Sequence, residues 1–195
     1  GMFLAFGMVC AILRARLSGK GQVVDSALVD GTAVLCTSMF GRLAEGTFEE
    51  GRGASSSNGA THYYDAYECS DGEFISIASL EPQFYAELCE RLELEPDDFS
   101  HQMDPALWPG QKEKLRAIFL TKSREDWCEL LQDTDICFAP VLRFAEAPLH
   151  PHNAARGTFV EVDGIVQPAP SPRFSVTPGR VAGPPAERGQ HTDQI

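Results

Sequence analysis

Two ionisable side chains, His62 and Glu81, flank a predicted β-hairpin and are the first candidates for chemistry. Imidazole titrates near neutrality, so His62 is a candidate general base. The Glu81 carboxylate directly precedes Pro82 at a predicted helix start, where the helix dipole favours negative charge. Each residue also has a purely structural interpretation. His62 would be a surface residue between a loop and a strand, and Glu81 would stabilise exposed N–H groups of its helix.

The elements that position both residues are predicted from turn and strand signals between residues 63 and 94. Residues 63–67 supply aromatic and apolar strand formers, and Ser70-Asp71-Gly72 supplies a turn that tolerates positive φ. Residues 74–77 alternate outward polar with inward apolar side chains, as in a half-buried strand. Pro82 then predicts a helix over residues 82–94, because its fixed φ suits the first helical position.

Four segments together resemble a known family. They are the Ser-Gly-Lys-Gly-Gln-Val-Val-Asp string at residues 18–25, the hairpin, the Glu-Pro-Gln-Phe-Tyr string at 81–85, and the Thr-Asp-Ile-Cys-Phe-Ala-Pro-Val-Leu string at 134–142. In this order and spacing they resemble the family III CoA-transferases and, within them, the α-methylacyl-CoA racemases. The similarity runs from Gly1 to Thr192 and matches the later part of the family's sequence. One departure is the loop 54–62, in which His62 stands where the family has a proline.

The resemblance implies an α/β fold built from part of a Rossmann-like large domain and a small α+β domain. Residues 1–61 would be the end portion of the large domain and a linker, residues 62–142 the small domain, and residues 143–195 the return to the large domain. It also implies an interlocked homodimer. Each active site would lie between the large domain of one subunit and the small domain of the other, so Glu81 would serve a neighbour's histidine.

The resemblance further implies 1,1-proton transfer at the α-carbon of 2-methylacyl-CoA thioesters. A histidine and an aspartate act as the two bases in such racemases, and both lie ahead of the position that corresponds to Gly1. Glu81, the supporting partner of that absent histidine, is the one catalytic residue carried over, and no substrate-binding residue is assigned. CoA is part of the substrate, so no separate cofactor is expected. We expect an incomplete chain, inactive alone.

Two alternatives remain open at this stage. One is a family III CoA-transferase, in which an aspartate ahead of Gly1 would act as the nucleophile. The Glu-Pro-Gln-Phe-Tyr string at residues 81–85 favours the racemase over the transferase. The other alternative is a non-catalytic dimerisation or binding module. Whether this chain is itself an enzyme is therefore left open.

Composition narrows the possible partners. The chain has 28 acidic and 16 basic residues among 195, a formal net charge of -12, which disfavours nucleic acid and anionic lipid. The six cysteines form no Cys-x-x-Cys pair and are predicted to be small, reduced core residues. His150 and His152 have no third ligand nearby in the sequence, so no metal site is expected.

The apolar stretch at residues 2–13 is too short to span a bilayer, since a spanning helix needs roughly 20 residues. It predicts a buried helix, covered in part by the portion of the family's sequence ahead of Gly1, and no membrane partner is expected. The compartment would be cytoplasmic in a bacterium and mitochondrial or peroxisomal in a eukaryote.

Further elements are predicted as follows: a strand at 22–24, a long helix at 26–45, a loop at 46–61, a helix at 108–119, a helix with a capping box at Ser123, a strand at 136–142, a short helix at 144–147, a hairpin turning at Asp163-Gly164, and an extended tail from 168.

Overall fold

The computed structural model describes residues 1–48, 50–51, 53–55 and 58–192. Within these ranges it contains eight helices and five strands. The helices are α1 (Met2–Ser18), α2 (Leu28–Leu35), α3 (Thr37–Ala44), α4 (Pro82–Arg91), α5 (Pro96–Phe99), α6 (Trp108–Phe119), α7 (Arg124–Leu131) and α8 (Pro151–Arg156); the strands are β1 (Tyr64–Glu68), β2 (Phe74–Ala78), β3 (Ala139–Val141), β4 (Phe159–Val162) and β5 (Ile165–Pro168). The chain divides into two units, Gly1–His62 and Tyr63–Ile195. The predicted boundary between residues 142 and 143 stays a prediction.

The first unit is helical. The predicted helix at its start is confirmed as α1, which ends at Gly19 in a left-handed conformation with φ 71°. None of the described side chains of α1, α2 or α3 is buried, so the predicted burial of the first helix is wrong within this chain. Among the described residues, no helix has both the length and the apolar character required to cross a bilayer.

Two local predictions for this unit are wrong. The predicted helix over 26–45 is interrupted at Cys36, whose φ of -88° and ψ of 6° separate α2 from α3. The predicted strand at 22–24 is absent, because these residues pair with no neighbouring strand. The predicted loop over 46–61 has no helix or strand in its described part, and Glu49, Arg52, Ser56 and Ser57 lie outside the described residues.

The second unit is built on a three-stranded antiparallel sheet in the order β1-β2-β3. The predicted hairpin is confirmed: Tyr67 pairs with Ile75, and Gly72 adopts φ 77° in the turn between the strands. Ile75 and Ile77 are buried, as the alternation predicts. The third strand is shorter than predicted, because only residues 139–141 pair with β2.

Aromatic side chains from the hairpin and from two helices form the centre of the core. The Tyr67 ring lies 4.9 Å from that of Phe119 on α6, and the Phe119 ring lies 5.2 Å from that of Trp127 on α7. The indole N–H of Trp127 donates to the Phe119 carbonyl at 2.9 Å, so the buried ring leaves no donor unpaired. Trp127 and Leu131 of α7 are buried in this core, whereas Leu130 is exposed.

An ionic cluster of Glu73, Arg124, Arg143 and Glu146 at the start of α7 links the β1–β2 hairpin to the chain after β3. The predicted capping box is confirmed by reciprocal bonds between Ser123 and Asp126. The Arg124 guanidinium donates to Glu146 at 2.6 Å and forms an ion pair with Glu73 at 3.3 Å, and its side chain is only 17% exposed. Hydrogen bonding from Arg124 lowers the pKa of Glu146 to about 2. Arg143 also pairs with Glu73.

The chain after β3 differs in part from its prediction. Residues 144–147 form turns rather than the predicted helix, and α8 follows instead. The second hairpin is confirmed: β4 and β5 pair around Asp163 and Gly164, which have φ values of 52° and 78°. From residue 169 the described tail has no further helix or strand.

All six cysteines are free thiols. Cys69 is buried in the core and Cys89 is partly buried against it, so their prediction as core residues is confirmed for these two and wrong for the exposed Cys10 and Cys137. Burial raises the pKa of the Cys69 thiol to about 11.

Candidate functional site

Glu81 lies where β2 ends and α4 begins, and its side chain is exposed. Its backbone is extended, with φ -71° and ψ 143°, and Pro82 occupies the first helical position as predicted. The Glu81 carbonyl accepts the hydrogen bond of Tyr85 N at 3.0 Å, which closes the first turn. The Glu81 carboxylate makes no capping hydrogen bond to the helix, so its structural interpretation is left with the charge of the carboxylate beside the positive end of the helix dipole.

The residues just before Glu81 are held by several hydrogen bonds. Ser79 is fully buried, and its backbone N–H donates to the Tyr63 carbonyl at 2.9 Å. The Ser79 hydroxyl donates to the Ile136 carbonyl at 2.7 Å. The Gln102 side-chain amide donates to the carbonyls of Ser79 at 3.0 Å and Leu80 at 2.9 Å. Sequence reasoning missed Ser79 and Gln102, because partners 57 and 23 positions apart leave no local pattern.

The segment after residue 134 lies beside this region. Burial raises the pKa of the Cys137 thiol, and the negative charges of Glu81 and Asp135 raise it further. Cys137 has a left-handed backbone with φ 56°. The Asp135 N–H donates to the Glu87 carboxylate on α4 at 3.2 Å. Two of the four segments that carry the family resemblance, 81–85 and 134–142, thus lie together in the structure.

His62 is fully buried, so the prediction of a surface histidine is wrong. Burial lowers its pKa to about 4, because an imidazolium in a dry environment loses its hydration. The ring is therefore neutral at pH 7. A base must reach the proton that it removes, and this imidazole has no solvent-exposed surface within the described chain.

The remaining histidine pair belongs to a helix start. His150 is the residue before α8, and Pro151 takes the first helical position. Within the ranges that the structure describes, no group of three His, Cys, Asp or Glu side chains is arranged to hold a metal ion.

The chain belongs to CoA-transferase family III, whose sequence model matches residues 1–192. Its fold is mixed α/β and is shared by solved structures. A crystal structure of Rv3272 from M. tuberculosis matches 99% of this chain and 51% of its own, with a TM-score of 0.71 and 20% identity. At that identity the likeness concerns the fold alone.

Within the family, the chain is similar to two mammalian racemases. It is 38% identical over 201 residues to the α-methylacyl-CoA racemase of Mus musculus and 36% identical over 200 residues to that of Homo sapiens. Each alignment covers 100% of this chain and 52% of the racemase, so the chain spans about half the length of these relatives.

Proposed function

We propose that this chain is the part of an α-methylacyl-CoA racemase that supplies the carboxylate of Glu81 to the active site. The observation that carries the proposal is the identity of 36–38% to two such racemases along the whole of this chain. The substrate would be a 2-methylacyl-CoA thioester. CoA would enter as part of that substrate, and the proposal calls for no other cofactor.

The reaction moves one proton and leaves the composition of the substrate unchanged. One base removes the proton from the α-carbon, and the electron pair of the C–H bond becomes an enolate conjugated with the thioester carbonyl. Hydrogen-bond donors hold the negative oxygen of that enolate. A second base on the opposite face returns a proton to the α-carbon, which inverts its configuration. The family resemblance assigns these two bases to a histidine and an aspartate ahead of the position of Gly1.

Glu81 acts in this proposal through the histidine base. Its carboxylate would accept a hydrogen bond from one imidazole nitrogen and so fix the ring orientation and leave the other nitrogen for the substrate. Its negative charge would also stabilise the imidazolium that forms when the ring takes up the proton. Two observations support this role: the carboxylate is exposed, and it makes no capping bond to α4.

The proposal includes an interlocked homodimer, in which Glu81 of one subunit serves the histidine of its neighbour. The exposed apolar side chains of α1, α2 and α3 indicate that further protein covers them, either the rest of the same subunit or a second subunit, since large apolar surfaces are rarely left in water. Examples with at least half of the side chain exposed are Phe6, Leu13, Leu28 and Phe40.

The experiment compares Glu81→Gln with a matched control in the protein made from its complete gene. Glu95→Gln is that control, because Glu95 is also an exposed residue before a helix that starts with proline and also makes no capping bond. We expect Glu81→Gln to slow deuterium exchange at the α-carbon of 2-methylacyl-CoA by roughly 100-fold, because it removes the charge that orients and stabilises the histidine base, and one such base contributes roughly 100-fold or more. Glu95→Gln should keep the wild-type rate.

Two results would contradict the proposal in different ways. Equal rates for Glu81→Gln and the wild type would remove the role of Glu81. A wild-type protein that moves CoA to an acceptor acid without exchanging the α-proton would replace racemisation with CoA transfer.

A further inference from the structure

The backbone before Glu81 is fixed from two sides. The amide of Gln102 carries two N–H bonds, and each donates to one carbonyl, that of Ser79 at 3.0 Å and that of Leu80 at 2.9 Å. Both donors of this one side chain are thus used on the two residues that precede Glu81. The Leu80 N–H in turn donates to the Ala78 carbonyl at 2.8 Å.

Gln102 is itself held in place by the start of α6. The indole N–H of Trp108 donates to the Gln102 backbone carbonyl at 2.8 Å. The Trp108 ring packs edge-on against Tyr63, with the ring centres 6.4 Å apart. Because Tyr63 is fully buried in the core, the Gln102 backbone is anchored through Trp108 to the core of the second unit.

Ser79 provides the opposite anchor. Its hydroxyl donates to the carbonyl of Ile136, which is buried. The next residue is Cys137, and the negative charge of Glu81 is one of the causes that raise the pKa of its thiol. The same bond therefore joins the residues before Glu81 to the segment beside its carboxylate. Downstream, Pro82 restricts Glu81 to extended backbone, and the first turn of α4 fixes the Glu81 carbonyl.

We propose that Ser79 and Gln102 are positioning residues that aim the Glu81 carboxylate by fixing the backbone on which it stands. The inference rests on the proposed function, since it concerns how Glu81 meets the histidine base. A side chain with three rotatable bonds reaches a defined point only if its Cα–Cβ bond is fixed, and loss of about 1 Å in placement lowers rates by about 100-fold. Ser79 and Gln102 touch no reacting atom in this account and act through Glu81.

The test compares Gln102→Met with Gln111→Met in the protein made from its complete gene. Methionine keeps the length of glutamine and removes both amide donors. Gln111 is the matched control, because it is 3% exposed in the same unit and its side-chain amide donates to the Asp98 carbonyl at 2.9 Å, away from Glu81. Gln102→Met loses two side-chain hydrogen bonds to backbone carbonyls and Gln111→Met loses one, so a general loss of stability affects both.

We expect Gln102→Met to lower kcat for α-proton exchange about 10-fold with KM within about 2-fold, because alignment changes and substrate binding does not. Gln111→Met should keep the wild-type kcat. Combined with Glu81→Gln, the Gln102→Met change should lower kcat no further, since it acts through the carboxylate already removed. Native hydrogen exchange at the Ser79 and Leu80 amides, which donate to the Tyr63 and Ala78 carbonyls, should accelerate in Gln102→Met only.

If Gln102→Met folds poorly, Ser79→Ala gives a second, smaller perturbation of the same backbone. Its control is Thr134→Val, which removes the 2.7 Å hydrogen bond from the Thr134 hydroxyl to the Leu131 carbonyl. Wild-type kcat in Gln102→Met or Ser79→Ala, beside a slow Glu81→Gln, would overturn the positioning inference alone. The positioning inference would also be overturned if Gln102→Met lowered kcat by the same factor in the wild-type protein and in Glu81→Gln. Wild-type kcat in Glu81→Gln would overturn the proposed function and this inference together.

Discussion

The buried His62 makes the free energy of unfolding depend on pH, between the pKa of its imidazole in the folded protein and that in the unfolded chain. In the folded protein its pKa is about 4, and in the unfolded chain the imidazole returns to its ordinary value of 6.5. Below pH 6.5 the unfolded chain therefore binds a proton that the folded chain does not. Linkage of these two values predicts a loss of about 2 kcal/mol in the free energy of unfolding from pH 8 to pH 5. Above pH 7 the contribution of His62 is constant.

The measurement is urea denaturation of the purified protein at several values between pH 8 and pH 5, with His62→Gln and His101→Gln beside the wild type. Glutamine is uncharged at every pH, so His62→Gln should lose most of the slope in this window. His101→Gln should keep it, because His101 is exposed. Comparing slopes separates the titration from any constant cost of repacking the site. Identical slopes for the wild type and His62→Gln would refute the argument.

The remaining predictions concern the second unit and are measured by the same denaturation. Arg124→Gln should lower the free energy of unfolding by about 1–3 kcal/mol, because the substitution removes charged hydrogen bonds made by a side chain only 17% exposed. The control Arg116→Gln removes an exposed ion pair and should change the free energy of unfolding by less than about 1 kcal/mol. Ser123→Ala should cost about 1 kcal/mol through the lost cap of α7, and full stability would contradict the observed capping box. Phe119→Ala should cost about 3–5 kcal/mol, and a cost below about 1 kcal/mol would contradict its central place in the core.

Local signals predicted the elements that position Glu81. Three such signals each depend on only a few neighbouring residues and can therefore be recognised in the sequence: the turn at Gly72, the proline at the first position of α4 and the capping box at Ser123. The start of α8 also had such a signal, since Pro151 opens it and Gly157 closes it with φ 60°. The prediction placed the helix before Pro148 instead and missed it.

Burial and long-range contacts could not be predicted in this way. The residues next to His62 in the sequence do not indicate that its ring is fully buried, because burial depends on which distant residues pack around it. The bonds from Gln102 to Ser79 and from Ser79 to Ile136 span 23 and 57 positions and follow from the packing of the sheet against its helices. The role of Glu81 itself came from the family resemblance, and it stays a prediction.

Racemisation and CoA transfer are distinguished by following one substrate through one reaction. A single enantiomer of a 2-methylacyl-CoA is incubated in D₂O with the protein made from its complete gene and with an acceptor acid. Racemisation predicts one deuterium at the α-carbon, conversion toward an equal mixture of the two configurations and no CoA on the acceptor. Transfer of CoA to the acceptor with the α-proton and its configuration retained would contradict it.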